Sequence, residues 1–392
     1  MEPSNGLLAR LSGLLADNGI GVARLTPRPR GGRLSGDPKQ EVEDALDALG
    51  LCELAGTNLV YGNGCFAVGR YGEAAIVYGR IVEQEPDRQE ARFNLGLAYL
   101  RLKRLREAAG EFTTVIEGDP SLAEAHYQRG NVHDDLGEHD LALSDYGRAI
   151  GTKPDYLQAF YNRGVVLARL GRHDDAVADF DRVIALQPTL SNTYLNRGAS
   201  LDELGHHERA IADYSEALRC NPSNTDAFFN RARTNYHLGH LEDTVSDYSQ
   251  VVELSPEDAE AFNNRGLAFD ALGDYQRAME DYGRALALRP DFAETRSNRG
   301  AALEALGVVG DALDEYLAAL NTDPDFPAAH YNAARLYSQT GNLELCVHHL
   351  ETAIRLAPQF VAEAATDDNL GWVMKLRGLR SKRRGPGPSA KA

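Results

Sequence analysis

Small, aromatic and polar positions recur along this chain with a period of 34 residues. Prolines mark the period at Pro86, Pro120, Pro154, Pro188, Pro222, Pro256, Pro290, Pro324 and Pro358. With each proline set at position 32, nine repeats fill residues 55–358. Position 8 is small: Gly62, Gly96, Gly130, Gly164, Gly198, Ala232, Gly266, Gly300 and Ala334. Position 20 is almost always alanine, from Ala74 to Ala312, with Thr244 and Cys346 as the exceptions. Position 24 is aromatic from Tyr78 to Tyr316 and Leu350 in the last repeat. A Leu-Gly pair at positions 14 and 15, as in Leu136-Gly137, predicts the end of a first helix, because glycine suits the left-handed cap. Proline at 32 stops a second helix, and Asp87, Ser121, Asp155, Thr189, Ser223, Asp291 or Asp325 after it is expected to cap the next. Two antiparallel helices should then face each other where position numbers sum to 28, pairing 8 with 20 and 4 with 24.

The pattern over residues 55–358 resembles the tetratricopeptide repeat family, whose period is 34 residues. The family's leucine at position 7 is here mostly arginine, in triplets such as Asn162-Arg163-Gly164 and Asn196-Arg197-Gly198. The resemblance implies an all-α solenoid of nine helix-turn-helix repeats in a right-handed superhelix, with first helices lining a concave groove. Flanking segments read as caps and arms. Residues 1–38 combine an amphipathic helix (Leu7, Leu8, Leu11, Leu14, Leu15) with a flexible basic linker, and 39–54 form a capping helix. Residues 359–378, with Phe360, Trp372, Met374 and Leu376, predict C-terminal capping helices, and 379–392 a disordered basic tail.

Charge narrows the partner. The net charge of −17 is unevenly spread: seven Lys or Arg and no acid follow Asn369, residues 1–38 carry +2, and 39–368 carry −26. An acidic body favours basic partners and disfavours nucleic acid, except as a local contact through the tail. The tail reads as a solvated segment that aids solubility or as a short nuclear-import-like basic run; a further reading is that it competes for the C-terminal part of the groove. The sequence contains no apolar run near the roughly 20 residues of a membrane span. Cys52, Cys65, Cys220 and Cys346 form no CxxC pair, so neither a disulfide framework nor a zinc site is expected, and the cytoplasm is the expected compartment. Gly62-Asn63-Gly64 is a repeat glycine rather than a phosphate loop, and His139, His173 and His207 are one per repeat, too far apart to share a metal. No catalytic set, cofactor or metal is expected.

The row that helix propensity leaves unexplained is position 6: Asn94, Gln128, Asn162, Asn196, Asn230, Asn264, Asn298 and Asn332. In the family this position lines the groove, where an amide can meet the N–H and C=O of an extended peptide. A similar asparagine ladder belongs to the repeat superhelix of O-GlcNAc transferase, although no stretch of this chain resembles that catalytic domain. The alternative is that each amide bonds within or between repeats. Position 5 adds Phe93, Tyr127, Tyr161 and Phe229 as groove aromatics. Acids at positions 12 and 13 (Asp134-Asp135, Asp202-Glu203, Asp270, Glu304) and at position 2 (Glu90, Glu124, Asp226, Glu260, Glu294) make the groove acidic if they line it; the alternative is an ordinary solvated face. No position 5 carries the lysine of the family's carboxylate clamp. The expected function is a scaffold gripping an extended basic segment of another protein; a regulatory or assembly subunit of an enzyme complex is the alternative.

One charged pattern concerns folding. Arg129, Arg163, Arg197, Arg231, Arg265 and Arg299 at position 7 occur with Asp145, Asp179, Asp213, Asp247, Asp281 and Glu315 at position 23. The first and last repeats lose both charges together. A ladder of Arg–carboxylate pairs follows, and pairing within a repeat or with the preceding one fits the spacing equally well.

Overall fold

A computed structural model describes residues 58–377, all of it helix and short connections. The segments expected at 1–54 and 379–392, and Cys52, lie outside the described residues. The chain divides into two compact units at Leu204. The first contains the hairpins α1–α2 (Leu59–Ala67, Tyr71–Gln84), α3–α4 (Gln89–Arg101, Leu105–Gly118), α5–α6 (Ala123–Asp135, His139–Thr152) and α7–α8 (Leu157–Arg169, His173–Leu186), then α9 (Ser191–Glu203). The second opens with α10 (His207–Cys220). It continues with the hairpins α11–α12 (Thr225–Leu238, Leu241–Leu254), α13–α14 (Ala259–Ala271, Tyr275–Leu288), α15–α16 (Ala293–Ala305, Val309–Thr322) and α17–α18 (Pro327–Gln339, Leu343–Leu356). It closes with the short helices α19 (Phe360–Thr366) and α20 (Gly371–Arg377). Within each unit every hairpin stacks on the next, as in an all-α helical-repeat solenoid.

The core of each hairpin is the position-24 ring, with Tyr146, Phe180, Tyr282 and Tyr316 all but sealed from solvent. The expected pairing of 8 with 20 holds: a Cβ on Gly130 would lie 3.4 Å from the Ala142 carbonyl oxygen, and Thr244 Oγ1 donates to the Ala232 carbonyl at 3.4 Å. The place of the ring is corrected. The ring at 24 lies over the small residue at 8, not opposite position 4. A Cβ built on Gly130 would sit 2.8 Å from Tyr146, and one on Gly266 2.7 Å from Tyr282. The reason is that side chains on a helix lean toward its N-terminus, so a ring at 24 covers the backbone level of position 20. Alanine at 20 is correspondingly buried, as at Ala142, Ala176 and Ala278.

The connections need a second correction. The residue that caps each first helix is at position 34, one later than expected: Arg88, Leu122, Tyr156, Asn224, Asp258, Phe292 and Phe326. Only Asn224 and Asp258 in this set cap with their side chains, Asp258 accepting from the N–H groups of Glu260 and Ala261. The proline carbonyl before the break is satisfied from position 4 of the next repeat. Arg92, His126, Tyr194, Arg296 and His330 bond Pro86, Pro120, Pro188, Pro290 and Pro324 at 2.9–3.3 Å.

In the last hairpin the role of a further repeat passes to α19 and α20. Ala364, Leu370, Val373 and Met374 bury against Tyr331, Cys346 and Leu350, and Tyr331 stacks on Phe360 with centroids 4.7 Å apart. Trp372, expected to pack here, is 46% exposed.

The turn inside each hairpin uses the glycine at position 15 with φ between 73° and 87°, but repeat two places Lys103 there at φ 59°. A residue with a Cβ is strained in this region by roughly 1–2 kcal/mol. Lys103→Gly should therefore raise stability by about 1 kcal/mol in urea denaturation, after the lost Lys103–Asp135 contact of 3.5 Å is discounted as an exposed pair. A decrease would show that this surface contact outweighs the backbone strain.

Candidate functional site

Adjacent residues of each first helix face different neighbours. Position 7 turns to the second helix of its own repeat. Arg129 donates through Nε and Nη2 to Asp145 at 2.8 and 2.7 Å, and Arg163 to Asp179 at 2.7 and 2.6 Å. Arg231–Asp247 and Arg265–Asp281 are the same two-bond forks, at 2.7–2.8 Å. Arg299 bonds Glu315 through Nη2 alone, and its Nε has no partner among the described residues. The carboxylates are buried, Asp145, Asp179 and Asp247 at 4% exposure. The ambiguity in the sequence is thus resolved within the repeat, and Glu111, left over by that scheme, is taken by Arg92 at 2.9 Å.

The preceding repeat is not ignored. The remaining Nη1 reaches back to its position 25: Arg129 to Thr113 at 3.1 Å, Arg231 to Ser215 at 2.8 Å, Arg265 to Ser249 at 3.2 Å. Arg197 bonds Asp181 at the same position. One guanidinium therefore ties three helices. Its bond to Asp179 raises the pKa of Arg163 further. Removing one partner of a buried pair costs about 3–5 kcal/mol, because the other charge stays behind. Asp247→Ala should lose that amount in chemical denaturation, with opening centred on α11 and α12 in hydrogen exchange. A loss below about 1 kcal/mol, the range of exposed pairs, would show that solvent screens the pair.

Position 6 turns to the preceding repeat. Asn162 Nδ2 donates to Asn131 Oδ1 at 2.9 Å and to Tyr127 Oη at 3.2 Å; Asn196 donates to Tyr161 Oη at 3.0 Å; Asn298 donates to Asn263 Oδ1 at 3.1 Å. Asn94 donates to Asn63 at 2.9 Å and is buried. Gln128 Oε1 accepts from Asn131, and Asn264 Oδ1 from Asn263, within their own helices. Asn230 and Asn332 form no side-chain hydrogen bond among the described residues, and both are half-buried. The row is therefore mixed. Where the amide N–H is used between repeats, the carbonyl oxygens of Asn162, Asn196 and Asn298 have no partner among the described residues.

The position-5 aromatics serve the same seam. Phe93 is 3% exposed and packs edge-on against Phe112 with centroids 5.5 Å apart, so neither it nor Asn94 offers a surface. Tyr127 packs on Tyr146 and Tyr156, Tyr161 on Phe180, and Phe229 on Tyr248 at 5.3 Å, each half-buried.

Partners that the sequence did not single out sit at position 9. Asn63 accepts from Tyr78 Oη and Asn94; Asn131 accepts from Tyr146 Oη and Asn162. Their signal is the coincidence of Asn at 9, Tyr at 24 and Asn at 6 of the next repeat. In repeat four, position 9 is Val165 and position 24 is Phe180. The polar knot disappears, leaving a cavity of about 130 Å³ lined by Val165, Ala168, Phe180, Ala199, Ser200 and Asn196, among others.

The acidic rows separate by position. Asp226, Glu260 and Glu294 at position 2 are exposed. At position 12, Asp134 accepts from Arg169 at 2.7 Å and lies 3.2 Å from His139, while Glu304 accepts from Arg335 at 2.7 Å. Burial raises the pKa of Asp270. Among the described residues no group of three or more His, Cys, Asp or Glu is placed to hold a metal ion, and no helix is long and apolar enough to cross a membrane.

Repeat nine replaces the ion pair with imidazoles. His330 Nε2 bonds the Pro324 carbonyl, so its Nδ1 accepts from His349 Nδ1 at 2.9 Å. Burial, then His330 and His348, push His349 down to about 4. A lowered folded pKa leaves the neutral ring stable above about 6.5, the value of an unperturbed imidazole, and that stability is lost as pH falls toward 4. Between pH 7 and pH 5 the parent should lose about 2 kcal/mol more than His349→Gln in urea denaturation. Parallel losses would mean that His349 titrates normally.

Models of the tetratricopeptide repeat match residues 66–123 and 127–191, 191–224 and 259–292, and 327–360, together more than half of the chain. No curated protein matches it. Among solved structures, the C-terminal part of a repeat protein from Cytophaga hutchinsonii is 15% identical with a TM-score of 0.53, covering 65% of this chain and 99% of that one. A tetratricopeptide repeat protein from Parabacteroides merdae is 19% identical with a TM-score of 0.46, covering 67% and 99%. The type IV pilus biogenesis factor PilW is 25% identical with a TM-score of 0.46, covering 53% and 96%. At 15% identity, the first likeness is one of fold.

Proposed function

We propose, for a chain that belongs to the tetratricopeptide repeat family, that the first-helix face of each compact unit holds an extended, basic segment of another protein. The fold is a protein–protein interaction module. The observation that carries the finer reading is the state of the position-6 amides. Among the described residues, Asn162 and Asn196 in the first unit, and Asn298 in the second, keep a carbonyl oxygen without a partner, and Asn230 and Asn332 keep the whole amide. A row of such acceptors suits the backbone N–H groups of a chain that has no internal hydrogen bonds of its own.

The surroundings support the rest. The cavity beside Asn196 has the size and the largely apolar walls for one aliphatic side chain. Exposed acids at position 2 and the strongly negative body favour a basic ligand and speed its arrival. The strongly raised tyrosine and cysteine pKa values have burial as their main cause, which is the chemistry of a packed scaffold.

Two asparagines of the row should behave differently. Asn162→Ala should cost roughly 1 kcal/mol of stability, because it strips a donor from Asn131 and Tyr127. Asn230→Ala should change stability by less than about 0.5 kcal/mol, as surface substitutions do. For a basic peptide selected by the full chain from a random library, Asn230→Ala should weaken binding roughly two- to tenfold, the worth of one net hydrogen bond. Unchanged affinity in calorimetry would return the row to structure alone.

A further inference from the structure

The second unit contains an acid that lacks the cation given to its equivalents. Glu304 at position 12 of repeat eight receives Tyr316 Oη at 3.3 Å and Arg335 Nη2 at 2.7 Å, the arginine coming from position 9 of the next repeat. Asp134 in repeat three is paired instead by Arg169, from position 13 of the next repeat, and by His139, from position 17 of its own. Asp270 is the same position in repeat seven. The three residues that would supply those cations are here Ala301, Ala305 and Tyr275.

The consequence is visible in the hydrogen bonding. Asp270 Oδ1 is buried with no partner among the described residues. Tyr282, the ring at position 24 of the same repeat, is 0% exposed, and its hydroxyl is likewise buried without a partner. Tyr236, from the preceding repeat, is 38% exposed. These groups sense one another: after burial itself, the charge of Asp270 is the next cause raising the pKa of both Tyr282 and Tyr236. A buried carboxylate oxygen and a buried phenol with unused acceptor capacity are costly to leave so, and each can accept from a cationic N–H.

We propose that Asp270, Tyr282 and Tyr236 form a site for one guanidinium or ammonium group of a ligand, an arginine or lysine side chain that takes the place Arg335 fills beside Glu304. The guanidinium is the better fit, since its fork can donate to the carboxylate and the phenol oxygen together while its plane lies against a tyrosine ring. The site rests on the reading of the first-helix face as a ligand surface, and it places one basic residue of the bound segment at repeat seven.

N-acetyl-arginine amide, which carries only the guanidinium charge, is the probe; N-acetyl-citrulline amide is its neutral match. Titrated into the full chain and followed by the side-chain carboxyl resonances, the arginine compound should shift Asp270 with millimolar affinity, and citrulline should not. Asp270→Asn and Ala301→Arg should each weaken the arginine compound at least tenfold, the second by supplying a cation from within the chain. Glu253→Gln, an exposed acid on the second helix α12, should leave it unchanged. Equal binding of citrulline, or unaltered affinity in both site variants when circular dichroism shows them folded, would overturn the proposal. Arginine binding at Asp270 without capture of any library peptide would keep this site and remove the scaffold reading. Peptide capture with no preference for arginine over citrulline would do the reverse.

Discussion

Repeats three, four, six and seven are each organised around an arginine one residue after the amide row. Its fork closes on a buried carboxylate of the second helix, and in several repeats its last nitrogen reaches a hydroxyl of the preceding second helix. A buried charge pair is not by itself a source of stability, because desolvation offsets much of the attraction. What it does is fix geometry. The two-bond fork admits one rotation of the first helix against the second, and the third bond sets the next repeat relative to the last. With position 7 directed inward, position 6 is carried to the seam between repeats, and positions 9 and 12 line the same seam.

That fixed frame lets the seam vary without disturbing the fold. Where position 9 is Asn and position 24 is Tyr, a polar knot closes the gap, as at Asn131 and Tyr146. Where they are Val165 and Phe180, the gap is a small and mostly apolar cavity. Where they are Leu267 and Tyr282, the phenol is left unpaired near Asp270. The same 34-residue unit thus presents a different chemical surface at each step. This is how a repeat array can read a sequence of side chains along an extended ligand.

Most of the fold was legible because prolines, glycines and alanines recur at a spacing that only paired helices satisfy. The Arg–carboxylate ladder was legible too, since both charges vanish together at Tyr61 and Val77 and at Ala333 and His349. Its partner choice was not, because the spacing is the same to either neighbouring helix. The lean of the position-24 ring over Gly130 and its equivalents is a matter of side-chain direction, which periodicity does not carry. Nor did the uniform amide row reveal its division of labour. Asn162 and Asn332 share a repeat position but differ in what the preceding repeat offers: Asn131 and Tyr127 to the one, Ala301 and Ser297 to the other. The cation site at Asp270 shows only by contrast with Glu304 and Asp134, once the arginines that serve those acids are seen.

The central claim is that the seam side of the first helices, and not the second helices or the hairpin turns, is the binding surface. A crystal structure of the full chain with a selected basic peptide tests it most directly. The account predicts an extended peptide whose main-chain N–H groups donate to the side-chain oxygens of position-6 asparagines such as Asn230 and Asn298. A peptide bound as a helix, or seated on the second helices with those amides untouched, would contradict it.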